Sequence, residues 1–107
     1  MPSNQPAETE LLKQVLLPLL MDFQYWFSRS LDLLESERLS FLTEQEQANL
    51  IAEIKLAHQE VDTTKLLFEA TDCKVGIDSQ TLLPWHNLVT QCWEVSRTWR
   101  KLSSSEV

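Results

Sequence analysis

The chain has 107 residues, 43% of them hydrophobic and 23% charged, a composition that fits one soluble globular core and a length too short for two. Its formal charge of −7 excludes a nucleic-acid binder of the ordinary kind, because affinity for phosphates comes from clustered Lys and Arg. A single glycine, Gly76, leaves almost no position for the φ > 0 turns of hairpin-rich proteins, so an all-α fold is expected.

Residues 1–6 read as a loose polar tail with Pro2. Pro6 is acceptable in a first helical turn, and Glu8 and Glu10 favour the positive end of the dipole. The first predicted helix covers Ala7 to Glu35, with Leu12, Leu16, Leu19, Phe23, Trp26 or Phe27, Ser30 and Leu34 at alternating steps of three and four, the period of one buried stripe. Pro18 falls inside this run, where it removes a backbone bond and crowds the preceding turn. The expectation is a kink near Gln14, or else two shorter helices.

Glu35 to Leu42 reads as a connection. Thr43 followed by Glu46 matches a capping box, and a second helix is predicted from Glu44 to Ala70. Its stripe is Leu50, Ile54, Ala57, Val61, Thr64 and Phe68, with Ile51 and His58 beside it. Thr71 to Thr81 holds the glycine; Val75 and Ile77 are candidate pins onto the helices, and Asp78 or Ser79 a candidate cap. Pro84 disfavours α geometry at Leu83 unless it opens a helix itself, so a third helix is predicted from Pro84 to Lys101. Trp85, Leu88, Cys92, Val95, Trp99 and Leu102 form its apolar stripe, and residues 103–107 read as a frayed tail. The predicted fold of the single domain, residues 1–107, is an antiparallel three-helix bundle, two long helices as a hairpin with a shorter third in its groove.

The runs LLxxxLxPLLxDFQYWF (Leu11 to Phe27), FLTEQEQAxL (Phe41 to Leu50) and LLPWHNLVTQCW (Leu82 to Trp93) resemble a family of short, uncharacterised cyanobacterial proteins, a domain of unknown function. The resemblance covers about Glu8 to Arg100. It implies a protein of a photosynthetic bacterium, and it carries over no activity, cofactor or functional residue.

Charge is unevenly placed. Residues through Asp62 carry eleven acids and four bases, the whole of the −7, while the remainder balances five against five. Cys73 and Cys92 stand in no metal or redox spacing. The amino terminus has no basic n-region, and the apolar run Val15 to Met21 is far too short to span a membrane. A cytoplasmic location with reduced thiols is the expectation, and a Cys73–Cys92 disulfide stays open.

His58 and Asp62 share a helical face, the geometry by which two ligands reach one metal. A helical di-iron site needs Glu-x-x-His on two helices, and no Glu stands three residues before either histidine. His86 lies near a positive helix end, which favours a neutral imidazole. A Cys-His nucleophile would need an exposed thiol, whereas Cys92 falls on the core stripe. No Gly-rich phosphate loop, G-x-S-x-G elbow or H-E-x-x-H occurs. Neither a catalytic set, a cofactor nor a metal is expected.

Apolar groups are left on faces that the bundle does not need. On an ideal wheel Leu17, Met21 and Tyr25 form a line opposite the first stripe, and Met and Tyr suit binding surfaces. Trp93 lies on the flank of the third helix with His86, Val89, Arg97 and Arg100, where Arg97 is spaced to stack on the indole. Leu17, Met21, Tyr25, Trp93, Arg97 and Arg100 are thus the candidate partner-binding residues. The expected function is a non-enzymatic interaction module, an adaptor or assembly factor, with a homodimer through the first helix as one form. An aromatic-cored carrier of a small molecule or pigment is the alternative, and a small enzyme the third.

Overall fold

The computed structural model describes residues 4–71 and 79–105, with side chains described for residues 14–71 and 80–103. Three helices follow one another: α1 (Asn4–Ser36), α2 (Glu44–Ala70) and α3 (Ser79–Ser105). Among the described residues there is no strand, and α1 packs against both other helices. Helix α1 is the spine, since α2 and α3 meet each other far less than either meets α1.

Directions follow from the contacts. Gln24 reaches Asp62 and Glu35 reaches Lys55, so α2 runs antiparallel to α1. Phe23 meets Trp85 and Trp26 meets Trp93, so α3 runs parallel to α1 and returns along α2. The result is an up-down-up three-helix bundle, 61 Å long and 25 × 20 Å across. Its radius of gyration, 17.2 Å, exceeds the roughly 13 Å of a compact chain of this length, because helices of about 40–50 Å lie side by side.

The core is one file of apolar residues down the shared seam. Leu20, Phe23, Phe27 and Leu34 of α1 meet Ile54, Ala57 and Val61 of α2 and Trp85, Leu88, Val89 and Cys92 of α3. A smaller cluster, Leu16 with Phe68, closes the end where α2 stops. Ser30 and Gln47 are the polar residues buried with them. Burying such groups is tolerated when they are hydrogen-bonded, and no buried side-chain polar atom of the described residues lacks a partner.

Gln47 shows how the hairpin is locked. Its Nε2 donates to the carbonyls of Leu34 and Glu37 at 2.8 and 2.7 Å, near the end of α1 where carbonyls lack helical partners. Its Oε1 accepts from the backbone amide of Leu39 at 3.0 Å and from Arg38 at 2.9 Å. One side chain of α2 therefore caps α1 and fixes the connection between them. The capping box then starts α2 as expected: Thr43 N donates to Glu46 Oε1 at 2.8 Å, and Glu46 N to Thr43 Oγ1 at 3.0 Å.

The two internal prolines behave alike, one as the leading expectation has it and one not. Helix α1 runs unbroken through Pro18, so the two-helix alternative does not form. Pro18 faces solvent between the buried Leu16 and Leu20, and the Gln14 carbonyl that loses its donor stays within reach of water. Pro84 likewise lies inside α3, which begins at Ser79 rather than at the proline. The additional turn packs Leu82 against both core clusters, and tertiary burial outweighs the local preference at Leu83. At 27 residues each, α3 is as long as α2 and not the shorter helix expected.

The ends differ in the same direction. Helix α1 already includes Asn4 to Pro6, and α3 continues through Ser103 to Ser105. The candidate pins Val75 and Ile77, the candidate cap Asp78 and Cys73 lie outside the described residues, as do the side chains of Leu12 and Ser79.

Candidate functional site

Of the two candidates for the stripe, Phe27 rather than Trp26 enters the core: Phe27 is fully buried, while Trp26 is half-buried at the edge of the α1–α3 seam. There Trp26 meets Trp93 of α3 edge to face, with ring centroids 5.7 Å apart. Tyr25 also stands against Trp26, centroids 5.1 Å apart and again edge to face. This offset geometry suits ring quadrupoles, and it turns three separate aromatics into one continuous wall. Trp99, expected in the core stripe, is half-buried and completes the wall.

These rings line an open groove of about 700 Å³ between α1 and α3 together with Leu33, Ser96, Arg29, Arg97 and Arg100. Arg29, four residues after Tyr25, donates from Nη1 to the phenol oxygen at 3.1 Å and sits 6.0 Å from the ring centroid. Arg29 on Tyr25, rather than Arg97 on Trp93, is therefore the arginine held over a ring. No carboxylate lines the groove, and among the described residues none of its three guanidiniums is ion-paired. In a chain of formal charge −7, three guanidiniums without a carboxylate partner, beside aromatic walls, make a local site for anions.

The sequence-predicted residues divide accordingly. Tyr25, Trp93, Arg97 and Arg100, assigned to two separate surfaces, come together in this single groove. Met21 and Tyr25 are exposed at 53% and 54%. Leu17 leaves their line and leans inward, half-buried against the Leu16–Phe68 cluster, because the end of α2 reaches around that turn. Val89, placed on the flank with Trp93, is a buried core residue. Arg29 and Leu33 were missed, although Tyr25 and Arg29 share the four-residue aromatic-to-arginine spacing that drew notice at Trp93 and Arg97.

The other candidates lie apart from the groove. His58 Nδ1 pairs with Asp62 Oδ2 at 3.1 Å, and Asp62 Oδ1 accepts from Gln24 Nε2 of α1 at 2.7 Å, so this cluster ties α2 to α1. His86 is exposed and its carbonyl accepts from Thr90. Cys92 is a free, buried thiol whose pKa is pushed above its ordinary value by burial, with a hydrogen bond to Ser30 opposing the shift. Among the described residues no three His, Cys, Asp or Glu side chains gather as metal ligands. None of the described helices is long and apolar enough to cross a membrane.

A family model, that of a protein of unknown function (DUF2605), matches residues 6–101. The chain belongs to the DUF2605 family. No curated protein and no solved structure matches it. The groove residues Tyr25, Trp26, Arg29, Trp93, Arg97 and Arg100 of this DUF2605 chain all fall within the matched span.

Proposed function

We propose that this chain is a small helical interaction module, a non-enzymatic adaptor or assembly factor that presents its α1–α3 groove to an anionic protein segment. The observation that carries this reading is the convergence of Arg29, Arg97 and Arg100 on a wall of Tyr25, Trp26, Trp93 and Trp99 with no carboxylate in the lining. Tyrosine, tryptophan and arginine dominate binding energy at interfaces: the two aromatics combine large area with few rotatable bonds, and arginine adds a planar fork of donors. The dispersal of the reactive side chains supports a non-enzymatic role: Cys92 is buried, His58 is tied to Asp62 and His86 stands alone on the surface.

The setting in this proposal is the cytoplasm of a photosynthetic bacterium. The resemblance of the long runs around Phe23, Thr43 and Trp85 to cyanobacterial proteins supports the organism, and two cysteines in no disulfide-framework spacing support a reducing compartment.

The test is a cross-linked affinity capture of the tagged protein from its own host, run beside an Arg97→Glu, Arg100→Glu variant. A partner recovered near equal stoichiometry with the parent and lost with the variant is the expected result. Identical recovery from both would remove the groove from the interaction. A small anionic aromatic molecule bound to the parent, with no protein partner, would turn the reading to a carrier.

A further inference from the structure

We propose that the occupant of the α1–α3 groove is the exposed flank of α2 that carries Glu53, Leu56 and Glu60, from a second copy of this chain. The inference rests on the groove being a docking site and adds the identity of the partner.

The groove sets three requirements. Its occupant must be anionic to meet Arg29, Arg97 and Arg100, and apolar to meet the rings. It must also be about two helical turns long, since Trp93 to Arg100 rises about 10 Å. The exposed flank of α2 beside α3 meets all three. Leu56 is 59% exposed, with Glu53 three residues before it and Glu60 four after, both exposed. These spacings set the three side chains together on one flank of the helix, the flank that borders α3, where Glu53 lines a groove with Gln91 and Glu60 one with Pro84 and Trp85. Glu53 and Glu60 are about 10 Å apart along the axis, the length of the groove. Glu60 uses Oε1 to accept from Trp85 Nε1, which leaves Oε2 for a guanidinium. Leu67, 55% exposed, lies three turns beyond Leu56 on the same face and extends the apolar ridge.

Overall charge narrows the choice further. Two copies at −7 each repel at a distance, so self-association requires a local contact of opposite sign. The groove is the basic surface that offers one, and Glu53 with Glu60 is an acidic pair flanking an exposed leucine. Groove and ridge are different surfaces, so the contact is heterologous and assembles as a ring or an open chain. A single helix in a groove buries less than a permanent dimer does, so association is weak and concentration-dependent.

Sedimentation velocity on the full chain tests this with two charge-reversed variants, Arg97→Glu with Arg100→Glu in the groove and Glu53→Arg with Glu60→Arg on the ridge. The parent is expected to gain mass with concentration, and each variant alone to stay monomeric with unchanged helicity by circular dichroism. An equimolar mixture of the two is expected to associate again, because each then meets the other's complementary surface. Leu56→Glu, at an exposed position, is expected to abolish association without touching the fold. A parent that stays monomeric, a groove variant that still associates, or a mixture that does not recover would each overturn the second-copy occupant. If the parent is monomeric while capture from the host still depends on Arg97 and Arg100, the docking groove stands and its partner is a different acidic protein.

Discussion

Trp26 of α1 and Trp93 of α3 meet edge to face with ring centroids 5.7 Å apart, so the contact that closes the seam of two parallel helices is also the floor of the groove. Trp93→Ala removes one ring and leaves Trp26 uncovered. An edge-to-face pair adds about 1 kcal/mol beyond its area, and Trp93 is already 41% exposed. The expected loss is therefore about 1.5 kcal/mol, a fall of roughly 5–10 °C in the melting midpoint for a domain of this size. Thermal melts followed by circular dichroism measure it, and an unchanged midpoint would mean that the pair serves recognition alone.

Gln47 is expected to be the most sensitive polar position. Gln47→Leu keeps the volume but strips the Leu34 and Glu37 carbonyls and the Leu39 amide of their shared partner. Each stranded group costs about 1–3 kcal/mol, so the three together cost about 3–9 kcal/mol, comparable with the usual stability of a whole domain. Gln47→Glu restores an acceptor for Leu39 while aiming a carboxylate at two carbonyls. The Arg38 guanidinium and the Leu39 amide on the retained oxygen favour its charged form and the two facing carbonyls its protonated form, so the change in stability between acid and neutral pH, set against that of the parent, reads which contact dominates. Urea titrations at both pH values give the comparison.

How far sequence alone reached depended on whether a signal was local. The Thr43–Glu46 box lies within four residues and names its own partners, and α2 begins and ends where it was predicted. Phe27 and Trp26 were interchangeable on the stripe, because adjacent positions differ by only one step around the helix; only the approach of Trp93 from α3 decides between them. The Pro84 signal pointed to a helix start, yet Leu82 is half-buried against Leu16 and Phe68, a long-range contact that pulls the start back to Ser79. Gln47 carried no signal at all, since its four partners lie on the preceding connection and helix. The groove was legible only in halves. Tyr25 and the Trp93, Arg97, Arg100 set stood out as surplus surface residues, and nothing short of the parallel pairing of α1 with α3 could join them.

Thr43→Ala tests the start of α2 separately from its packing. The substitution removes the hydroxyl that accepts from Glu46 N and frees the Glu46 side chain from its reciprocal bond. An N-cap of this type is worth about 1 kcal/mol. Thr43→Ser should retain nearly all of it and Thr43→Ala should lose it, with both folds intact by circular dichroism. Equal midpoints for the two would show that Gln47 alone holds the connection.

Cys92 gives a prediction about alkaline stability. Burial holds its thiol pKa above the ordinary value, and the hydrogen bond to Ser30 only partly offsets that. An acid whose folded pKa is raised binds its proton more tightly when folded, so its contribution is complete below the unfolded pKa. It is lost as pH rises from that value, about 8.5 for a free thiol, through the folded one, because the unfolded chain gains by ionising first. Stability should therefore decline above about pH 8.5, more steeply in the parent than in Cys92→Ala, which lacks the titrating group. The alanine variant itself should be about 1 kcal/mol less stable at neutral pH through lost packing. In a Cys73→Ser background, a thiol reagent should modify Cys92 far more slowly in the native protein than in urea, at a rate that follows transient opening. Fast native modification would mean that the seam between Ser30 and Cys92 is open to solvent, and parallel alkaline slopes in the parent and Cys92→Ala would assign the decline to other groups.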